Sequence, residues 1–224
     1  MVTFTMDLLT VNNGKYTVSY IKDDAYIGPC ISRGYEWDGW MRQDIEAFYK
    51  PGTDILDVGG NIGYNSLMFS DYGPVYTFEP IFHEIIQKNI EQNNLKNPVT
   101  VHPYGLSSKN DKVNIYRPGI QHVDKTNYGG YSMTRSEQHL DEHTIVDIKR
   151  LDDVYNGTPS IIKVDIEGHE EEFLKGAEET IKTHKPVLII EIHDWERDTM
   201  FPIIKGLGYQ TFYQRPEKVF TCTW

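Results

Sequence analysis

The residues best suited to chemistry form a glycine-rich segment, LDVGGNIGYN, at positions 56–65. It follows an apolar run typical of a buried strand and precedes a segment typical of a helix, and in that context a glycine turn is a candidate nucleotide site. Gly59, Gly60 and Gly63 permit a tight turn and let a ligand approach the main chain closely. Ligands of parallel sheets bind beyond the carboxyl ends of the strands, and a strand ends here.

The spacing of these glycines differs from the G-x-G-x-x-G fingerprint of dinucleotide sites, which aims backbone N–H groups at a pyrophosphate. It reads D-x-G-x-N-x-G from Asp57 to Gly63. This turn suits S-adenosylmethionine (AdoMet), because Asp57 can bind the ammonium of its amino-acid tail, directly or through water, while loop amides bind the tail carboxylate. Glu79 ends the next strand, 22 positions after Asp57, and can bind both ribose hydroxyls. The alternatives are NAD binding and a purely structural turn.

Side chains at the ends of two later strands could promote the transfer of a methyl group. This reaction is an in-line displacement, and holding the acceptor close and aligned can supply about 7–11 kcal/mol of the barrier. A general base adds roughly 10²- to 10⁴-fold. Asp165 and Glu167 end the strand in SIIKVDIEG, and Glu191, His193 and Asp194 end the strand in PVLIIEIHD. Asp165, Glu191 and His193 are the candidates for a catalytic role. We favour His193, because the unperturbed pKa of histidine lies nearest neutrality; Asp165 is the competing base, and Glu191 orients either one.

The same three side chains form a candidate metal site. Asp165, Glu191 and His193 could converge on magnesium or a similar hard cation that binds oxygens of the acceptor. The alternative is that these groups hydrogen-bond the acceptor directly. Zinc is not expected, since the segment EGHE at 167–170 lacks a second histidine at helical spacing.

The elements that must position these groups alternate along the chain. Apolar, strand-like runs and amphipathic segments are found at 53–60 (strand), 65–73 (helix), 74–80 (strand), 83–94 (helix), 99–105 (strand), 160–168 (strand), 170–184 (helix) and 186–194 (strand). This order predicts an α/β fold, a Rossmann-like, mostly parallel sheet with helices on both faces. The strand-to-helix crossovers place the glycine turn and the later acidic strand ends at one edge of the sheet.

The chain divides into two predicted parts. Residues 1–50 are expected to form an N-terminal cap segment, with a strand at 15–21 and a helix at 38–50. Residues 51–224 are expected to form the main domain, interrupted by an insertion at about 106–159 that is too polar to be a second independent domain.

The predicted insertion carries residues suited to an acceptor. Tyr128, Tyr131 and Ser132 lie in the segment TNYGGYSMT, which combines flexible glycines, aromatic faces and hydroxyls. Sugars bind to such mixtures because their rings stack on aromatic side chains and their hydroxyls need polar partners. Trp37 of the N-terminal segment is a further candidate for the acceptor site, and core packing is its alternative role.

The composition excludes some partners. The 33 acidic residues outnumber the 22 basic ones, and the formal net charge of −11 repels a phosphate backbone. Only two cysteines occur, without CxxC spacing, so we expect free thiols and a reducing compartment. The sequence shows neither a leader pattern nor the roughly 20 apolar residues that span a bilayer. We expect a cytoplasmic protein with no nucleic acid partner and no membrane span.

Four segments resemble the motifs of FkbM-type methyltransferases in sequence, order and spacing: DVGGNIGYNSL, FEP, KVDIEGHEEEFLKGA and PVLIIEIH. The resemblance covers about residues 52–194. It implies the class I methyltransferase fold, with a seven-stranded sheet whose final strand is antiparallel, and O-methylation of hydroxyls on sugars or natural products. One departure is Gly60, where the family commonly has alanine.

The resemblance also implies which residues bind the cofactor and what the acceptor is. The segment YGLS at 104–107 is expected to pass near the adenine. The expected AdoMet contacts are Asp57, Gly59, Gly60, Asn61, Gly63, Asn65, Glu79, Pro80, Gly105 and Leu106. The expected acceptor is a sugar, a nucleotide sugar or a glycan.

Methylation of another small molecule is an alternative to a sugar acceptor, and two further functions are compatible with the same fold. Nucleic-acid methyltransferases that modify amino groups usually carry a proline-aromatic tetrad after the fourth strand, where this chain has DIEG. A non-catalytic binding module would not need the cofactor residues, which are intact here. Both alternatives are therefore less well supported than methylation of a hydroxyl.

Overall fold

A computed structural model describes residues 7–116, 120–122, 125–133 and 143–224. Parts of the segments discussed above, residues 1–6 and, in the predicted insertion, 117–119, 123–124 and 134–142, lie outside the described residues. The strands are β1 Leu8–Asn12, β2 Thr17–Ile21, β3 Asp54–Val58, β4 Val75–Phe78, β5 Val99–His102, β6 Gly105–Leu106, β7 Asp111–Tyr116, β8 Ile120–His122, β9 Lys125–Thr126, β10 His143–Lys149, β11 Pro159–Val164, β12 Val187–Glu191, β13 Thr211–Gln214 and β14 Val219–Thr223. The α-helices are α1 Ile27–Ser32, α2 Met41–Phe48, α3 Tyr64–Phe69, α4 His83–Glu91, α5 Leu151–Val154, α6 Glu170–Gly176, α7 Glu178–His184 and α8 Arg197–Leu207.

Seven strands form the central sheet, in the order β13-β14-β12-β11-β3-β4-β5. Strands β5, β4, β3, β11 and β12 run parallel, and β14 is antiparallel to both of its neighbours. Strands β3 and β11 are near-continuous apolar runs because helices cover both faces of the sheet. Leu56 and Ile162 pack on one face, whereas Ile55 and Ile161 pack on the other. The predicted fold class is confirmed.

The strand register brings the predicted site residues to one edge. Strand β3 lies between β4 and β11, and the chain crosses from one side of β3 to the other between β5 and β11. Val58 is paired with Phe78 of β4 and with Val164 of β11. The residues that follow these strands therefore meet at the carboxyl edge, where the order of strands reverses.

The N-terminal segment packs against the helices on one face of the sheet. Val18 and Ile45 belong to the same buried cluster as Leu67 and Phe69 of α3. The Asn89 side chain on α4 connects the parts: its oxygen accepts a hydrogen bond from the Ser19 amide, and its nitrogen donates to the carbonyls of Ser19 and Ile62. The first two strands form an antiparallel hairpin.

Strands β6, β7 and β10 form a separate three-stranded sheet between β5 and β11, in the order β6-β10-β7. Strand β7 has the sequence DKVNIY. Ile115, Val146 and Ile148 form its small buried cluster. The sheet lies beside the carboxyl edge, since Leu106 of β6 reaches the main core.

The prediction of one continuous helix at 170–184 was wrong. The structure has two helices, α6 and α7, separated at Ala177, whose φ and ψ are −118° and 8°. Asp152 explains the break, because its carboxylate accepts hydrogen bonds from the amides of Glu179 and Thr180 at the start of α7. A side chain from a distant segment thus caps a new helix. Within the described residues, no helix combines the length and the apolar character needed to cross a bilayer.

Candidate active site

The glycine turn between β3 and α3 contacts the end of β11. Gly59 has a φ of 80°, and a Cβ at this position would lie 1.9 Å from the carbonyl oxygen of Asp165. Only glycine lets the two main chains approach so closely. Asn61 has a φ of 50°, a left-handed conformation in which asparagine is enriched. The local sequence therefore specifies the shape of this turn.

A buried lysine, Lys163 of β11, lies beneath the turn. Its ammonium group donates to the Gly59 carbonyl at 2.7 Å and lies 3.3 Å from a carboxylate oxygen of Asp57 and 3.6 Å from one of Asp165. Burial alone would lower the pKa of Lys163, but the charges of Asp57, Asp165 and Asp38 outweigh burial and raise the pKa. Lys163 is therefore a permanent cation at the junction of β3 and β11.

Glu79 lies at the end of β4 and is 7% exposed. Its carboxylate accepts hydrogen bonds from the amides of Asn61 at 2.9 Å, Ile81 at 2.7 Å and Phe82 at 3.2 Å. Burial raises the pKa of Glu79, and the three backbone donors oppose that effect. The side chain is thus fixed beside the glycine turn, in the position from which a strand-end acid can reach a ribose.

A cavity of about 360 Å³ opens along the carboxyl edge, within the roughly 300–1,000 Å³ typical of small-molecule sites. The predicted site residues that line it are Trp37, Gly59, Gly60, Asn61, Asn65, Glu79, Pro80, Gly105, Leu106, Tyr128, Tyr131, Asp165 and Glu191. The structure therefore brings most of the predicted site together in one space.

Four predicted site residues lie outside this lining. Asp57 is fully buried, where Ser66 donates to one carboxylate oxygen at 2.5 Å and Lys163 covers the other. A direct contact between Asp57 and a ligand is thus not available in this conformation. Gly63 and Ser132 also lie behind the lining; the Ser132 hydroxyl donates to the Glu167 carbonyl at 2.7 Å.

His193 is the fourth of these residues. Its ring stacks on Trp195, with centroids 5.6 Å apart and planes 9° apart. Its Nε2 lies 3.5 Å from a carboxylate oxygen of Glu191 and 3.9 Å from one of Glu167. Glu191 and Glu167 line the cavity, whereas His193 lies behind them.

Glu191, Glu167 and His193 each offer one ligand atom, and these atoms lie within 4.8 Å of one another. The predicted metal set had Asp165 in the place of Glu167. Glu167 takes this place because the backbone after β11 changes direction: Glu167 has a φ of 54°, and its carboxylate lies near His193. Burial, followed by repulsion from Asp165, Glu167 and Glu170, raises the pKa of Glu191 to about 9.

The aromatic wall of the cavity comes from the segment after β9. The rings of Tyr128 and Tyr131 both pack edge-on against Phe82, with centroid distances of 6.2 Å and 5.5 Å. The Tyr128 hydroxyl donates to the carboxylate of Asp23 in the N-terminal segment. This wall is therefore held by both the main domain and the N-terminal segment.

A second, smaller cavity of about 50 Å³ adjoins the first. Both cavities are lined by Trp37, Lys163, Asp165, Glu191 and Glu217. Asp38 lines the smaller one and accepts a hydrogen bond from the Asn65 side chain at 3.2 Å. Burial raises the pKa of Asp38 to about 6.

Our sequence reasoning missed Lys163, Asp38 and Glu217, and it noted Glu167 at the end of the strand without giving it a role. Lys163 had a usable signal, because a lysine inside the apolar run SIIKV is buried only when a carboxylate pairs with it. Asp38 and Glu217 gave no signal, since only the fold brings them to this edge.

A family model of the methyltransferase FkbM domain matches residues 57–211, which is more than half of the chain. The chain belongs to the FkbM methyltransferase family. The matched region begins at Asp57 and includes the glycine turn, Glu79 and the strand ends at Asp165 and Glu191. It excludes the N-terminal segment and β14.

Two curated relatives are similar in sequence to this FkbM chain. The hexuronic acid methyltransferase AglP of Haloferax volcanii is 32% identical over 143 residues, which is 62% of this chain and 56% of AglP. Methyltransferase 1 of Beauveria bassiana is 27% identical over 227 residues, covering 91% of this chain and 85% of the relative. The match to AglP thus spans little more than half of that protein.

Two solved structures share the fold of this FkbM chain. The methyltransferase FkbM of Methylobacillus flagellatus has a TM-score of 0.51 and 24% identity, covering 76% of this chain and 42% of that one. Trm5b of Pyrococcus abyssi has a TM-score of 0.53 and 9% identity, covering 98% and 57%. At these identities the likeness concerns the fold alone.

Proposed function

We propose that this chain is an AdoMet-dependent O-methyltransferase whose acceptor is a hydroxyl group of a sugar. The observation that carries the proposal is a single cavity that extends from Glu79, past the glycine turn, to Glu191 and Glu167. Methyl transfer from AdoMet to oxygen is served by a carboxylate that binds the cofactor ribose at one end of the cavity. At the other end it is served by groups that can take the proton of the acceptor hydroxyl. Membership of a methyltransferase family supports the same reaction.

In this proposal the cofactor lies along β3 and β4. Glu79 keeps its three backbone donors and accepts hydrogen bonds from the ribose hydroxyls. Pro80, Gly105 and Leu106 line the part of the cavity assigned to the adenine. Asp57 has an indirect role: it forms an ion pair with Lys163, and Lys163 donates to the Gly59 carbonyl and so fixes the glycine turn.

The proton of the acceptor hydroxyl leaves through the group formed by Glu191, Glu167 and His193. In the general-base form of the proposal, Glu191 takes the acceptor proton while its own proton passes to Nε2 of His193 behind it. In the metal form, Glu191, Glu167 and His193 would hold a divalent cation, which would supply Lewis-acid activation of the acceptor hydroxyl. Asp165 lies nearest the glycine turn and is the competing base.

The walls of the cavity favour a sugar. Tyr131 and Trp37 supply aromatic faces, and the acids supply hydrogen-bond acceptors for hydroxyls. AglP is named a hexuronic acid methyltransferase, so uronic acids belong first in a substrate panel. A uronic acid offers both hydroxyl and carboxylate oxygens, and alkali separates the two products: it cleaves a methyl ester but leaves a methyl ether intact.

The test combines binding and turnover. We expect S-adenosylhomocysteine (AdoHcy) to bind in calorimetry, and AdoMet with a labelled methyl group to give an alkali-stable product with a uronic acid, nucleotide sugar or glycan. RNA and DNA are included in the panel. A folded protein that binds no AdoHcy would contradict cofactor use, and methylation of RNA alone would contradict the sugar acceptor.

Variants at the transfer end separate catalysis from binding. Glu191→Gln and His193→Ala should leave the AdoHcy dissociation constant within about twofold and lower kcat by roughly 10²- to 10⁴-fold, the range of a general base. Asp194→Asn is the matched control, since this neighbouring carboxylate is 71% exposed. Unchanged kcat in both Glu191→Gln and His193→Ala would remove this group from the mechanism.

Treatment with EDTA distinguishes the two forms of the mechanism. If EDTA abolishes activity and Mg²⁺ or Mn²⁺ restores it, the metal form is correct; full activity in EDTA assigns the general-base form.

A further inference from the structure

The ammonium of the AdoMet tail needs an acceptor other than Asp57. Both carboxylate oxygens of Asp57 face groups of the protein, Ser66 on one side and Lys163 on the other, and the residue is fully buried. The carbonyl of Gly59, a further acceptor in the turn, already receives the Lys163 ammonium at 2.7 Å. Lys163 therefore balances the charge of Asp57 and occupies the Gly59 carbonyl. Oδ1 of Asn61 in the same turn is buried without a hydrogen-bond partner among the described residues, but its side chain carries no bond to a neighbouring carboxylate there.

Asn65, in the first turn of α3, offers an acceptor that is not occupied. The residue is 7% exposed and lines the main cavity. Its side-chain nitrogen donates to the Asp38 carboxylate, which can only accept, so the orientation of the amide is fixed. Its Oδ1 is buried and has no hydrogen-bond partner among the described residues. A buried acceptor of this kind costs free energy until a donor arrives.

Asp38 lies directly beside this acceptor. Its carboxylate accepts the hydrogen bond from the Asn65 side chain. Asp38 also lines the small cavity, which shares Lys163 and Asp165 with the main cavity. Its φ of 50° turns the chain so that the side chain faces α3. The position is thus specified by the N-terminal segment, outside the residues that the family model matches.

The balance of charge at this point favours one more cation. Three carboxylates, those of Asp38, Asp57 and Asp165, act on the single ammonium of Lys163. This group carries a net negative charge; Asp57 and Lys163 are buried, Asp38 is partly buried and the Asp165 side chain is 42% exposed. An opposite charge within hydrogen-bond distance of Asp38 is therefore favoured. A ligand ammonium supplies that charge and also the donor that Asn65 lacks.

We propose that Asp38 and Asn65 together bind the ammonium group of the AdoMet tail. The assignment rests on the proposed function, because it concerns the same cofactor. It places one end of the tail against the N-terminal segment and the other end, the sulfonium, towards Asp165 and Glu191. The N-terminal segment is then part of the cofactor site as well as a packing element.

The test compares two ligands that differ only in this group: AdoHcy and its desamino analogue. For Asp38→Asn we expect the AdoHcy dissociation constant to rise about 10- to 100-fold, the value of a hydrogen bond to a charged group. The dissociation constant of the desamino analogue should change less than twofold. Asparagine has nearly the same size and tolerates a positive φ, so the fold should be retained, which thermal unfolding checks.

A second variant and a control complete the design. Asn65→Ala should weaken AdoHcy about 3- to 10-fold and leave the analogue unaffected, since it removes one neutral acceptor. Glu46→Gln removes the same charge from the exposed face of α2 and should affect neither ligand.

The outcomes distinguish this assignment from the proposed function. Equal weakening of both ligands by Asp38→Asn, or no weakening of AdoHcy, would overturn the role of Asp38 while leaving AdoMet binding in place. A wild-type protein that binds neither ligand would overturn the proposed function and this assignment with it.

Discussion

At the scale of single residues, the types and spacing of the acids predicted which strand ends meet but not the partners of each acid. The sequence placed Glu79, Asp165 and Glu191 at one edge of the sheet, and all three line the cavity there. It did not predict that Lys163 would close Asp57 off from the ligand. That pair depends on the parallel pairing of β3 with β11, in which Asp57 and Lys163 are direct partners. Such long-range register cannot be read from local spacing.

Glu170, at the start of α6, provides a pH-dependent prediction. Burial, reinforced by Glu196 and Asp165, raises the pKa of Glu170 to about 8, so the folded protein holds this proton more tightly than the unfolded chain. This contribution to stability is complete below the pKa of the unfolded chain, about 4.3, and is lost as the pH rises through 8. Glu170→Gln should therefore raise Tm at pH 9, by about 2–4 °C for each kcal/mol, and change it little at pH 5.

Scanning calorimetry at pH 5 and pH 9 measures this effect. Glu171→Gln, which removes a partly exposed carboxylate from the same turn, is the control for charge at the start of α6. A Glu170→Gln variant with lower Tm than the wild type at pH 9 would show that the carboxylate itself, through its bond with the Ile166 amide, is what stabilises the fold.

At the scale of elements, apolar runs predicted the strands of the parallel sheet well, because burial on both faces leaves a clear signal. The predicted strand at 74–80 corresponds to β4 and the predicted helix at 83–94 to α4. The division of the helix at 170–184 had no local signal, since the cap of α7 comes from Asp152 in α5. Caps supplied by distant residues are tertiary features that propensity does not encode.

Gly60 stands where the family commonly has alanine, and the neighbouring strand in this chain leaves no room for a side chain there. A Cβ on Gly60 would lie 2.2 Å from the hydroxyl oxygen of Thr77 on β4. That hydroxyl is buried without a hydrogen-bond partner among the described residues. Gly60→Ala should therefore destabilise the protein by about 1–3 kcal/mol through overpacking, and Gly60→Ala/Thr77→Ala should recover most of the loss.

A double-mutant cycle in urea measures the coupling between the two positions. Gly157→Ala serves as a control, because its Cβ would also meet side-chain atoms, those of Asp54 and Tyr155, near the amino ends of β3 and β11 and not at the carboxyl edge. Additive effects of Gly60→Ala and Thr77→Ala would show that the turn adjusts by another route.

At the scale of the whole molecule, strand–helix alternation was sufficient to predict the sheet and its layers. The relation of the N-terminal segment to that sheet was not predictable, because its apolar residues could have formed a small core of their own. In the structure, Ile21, Ile31 and Ile45 join the cluster of Ile55 and Leu67. Contacts between elements far apart in sequence decide this, and composition does not report them.

A chain of residues 51–224 should therefore fail to fold as a stable unit, although it contains every strand of the seven-stranded sheet. Removing residues 1–50 uncovers the apolar side of α3 and deprives Asn89 of Ser19 and Asp71 of Arg42. Uncovering apolar surface costs about 25 cal/mol per Å² and each lost hydrogen bond about 0.5–1.5 kcal/mol, against a total stability of only about 5–15 kcal/mol. We expect the full chain to unfold in one cooperative transition in urea, and the shortened chain to show no such transition or to aggregate.

The control adds residues 1–50 to the shortened chain as a separate peptide. This addition should recover the transition if packing alone is responsible. A cooperative transition of residues 51–224 at the midpoint of the full chain would instead show that the N-terminal segment is an independent cap.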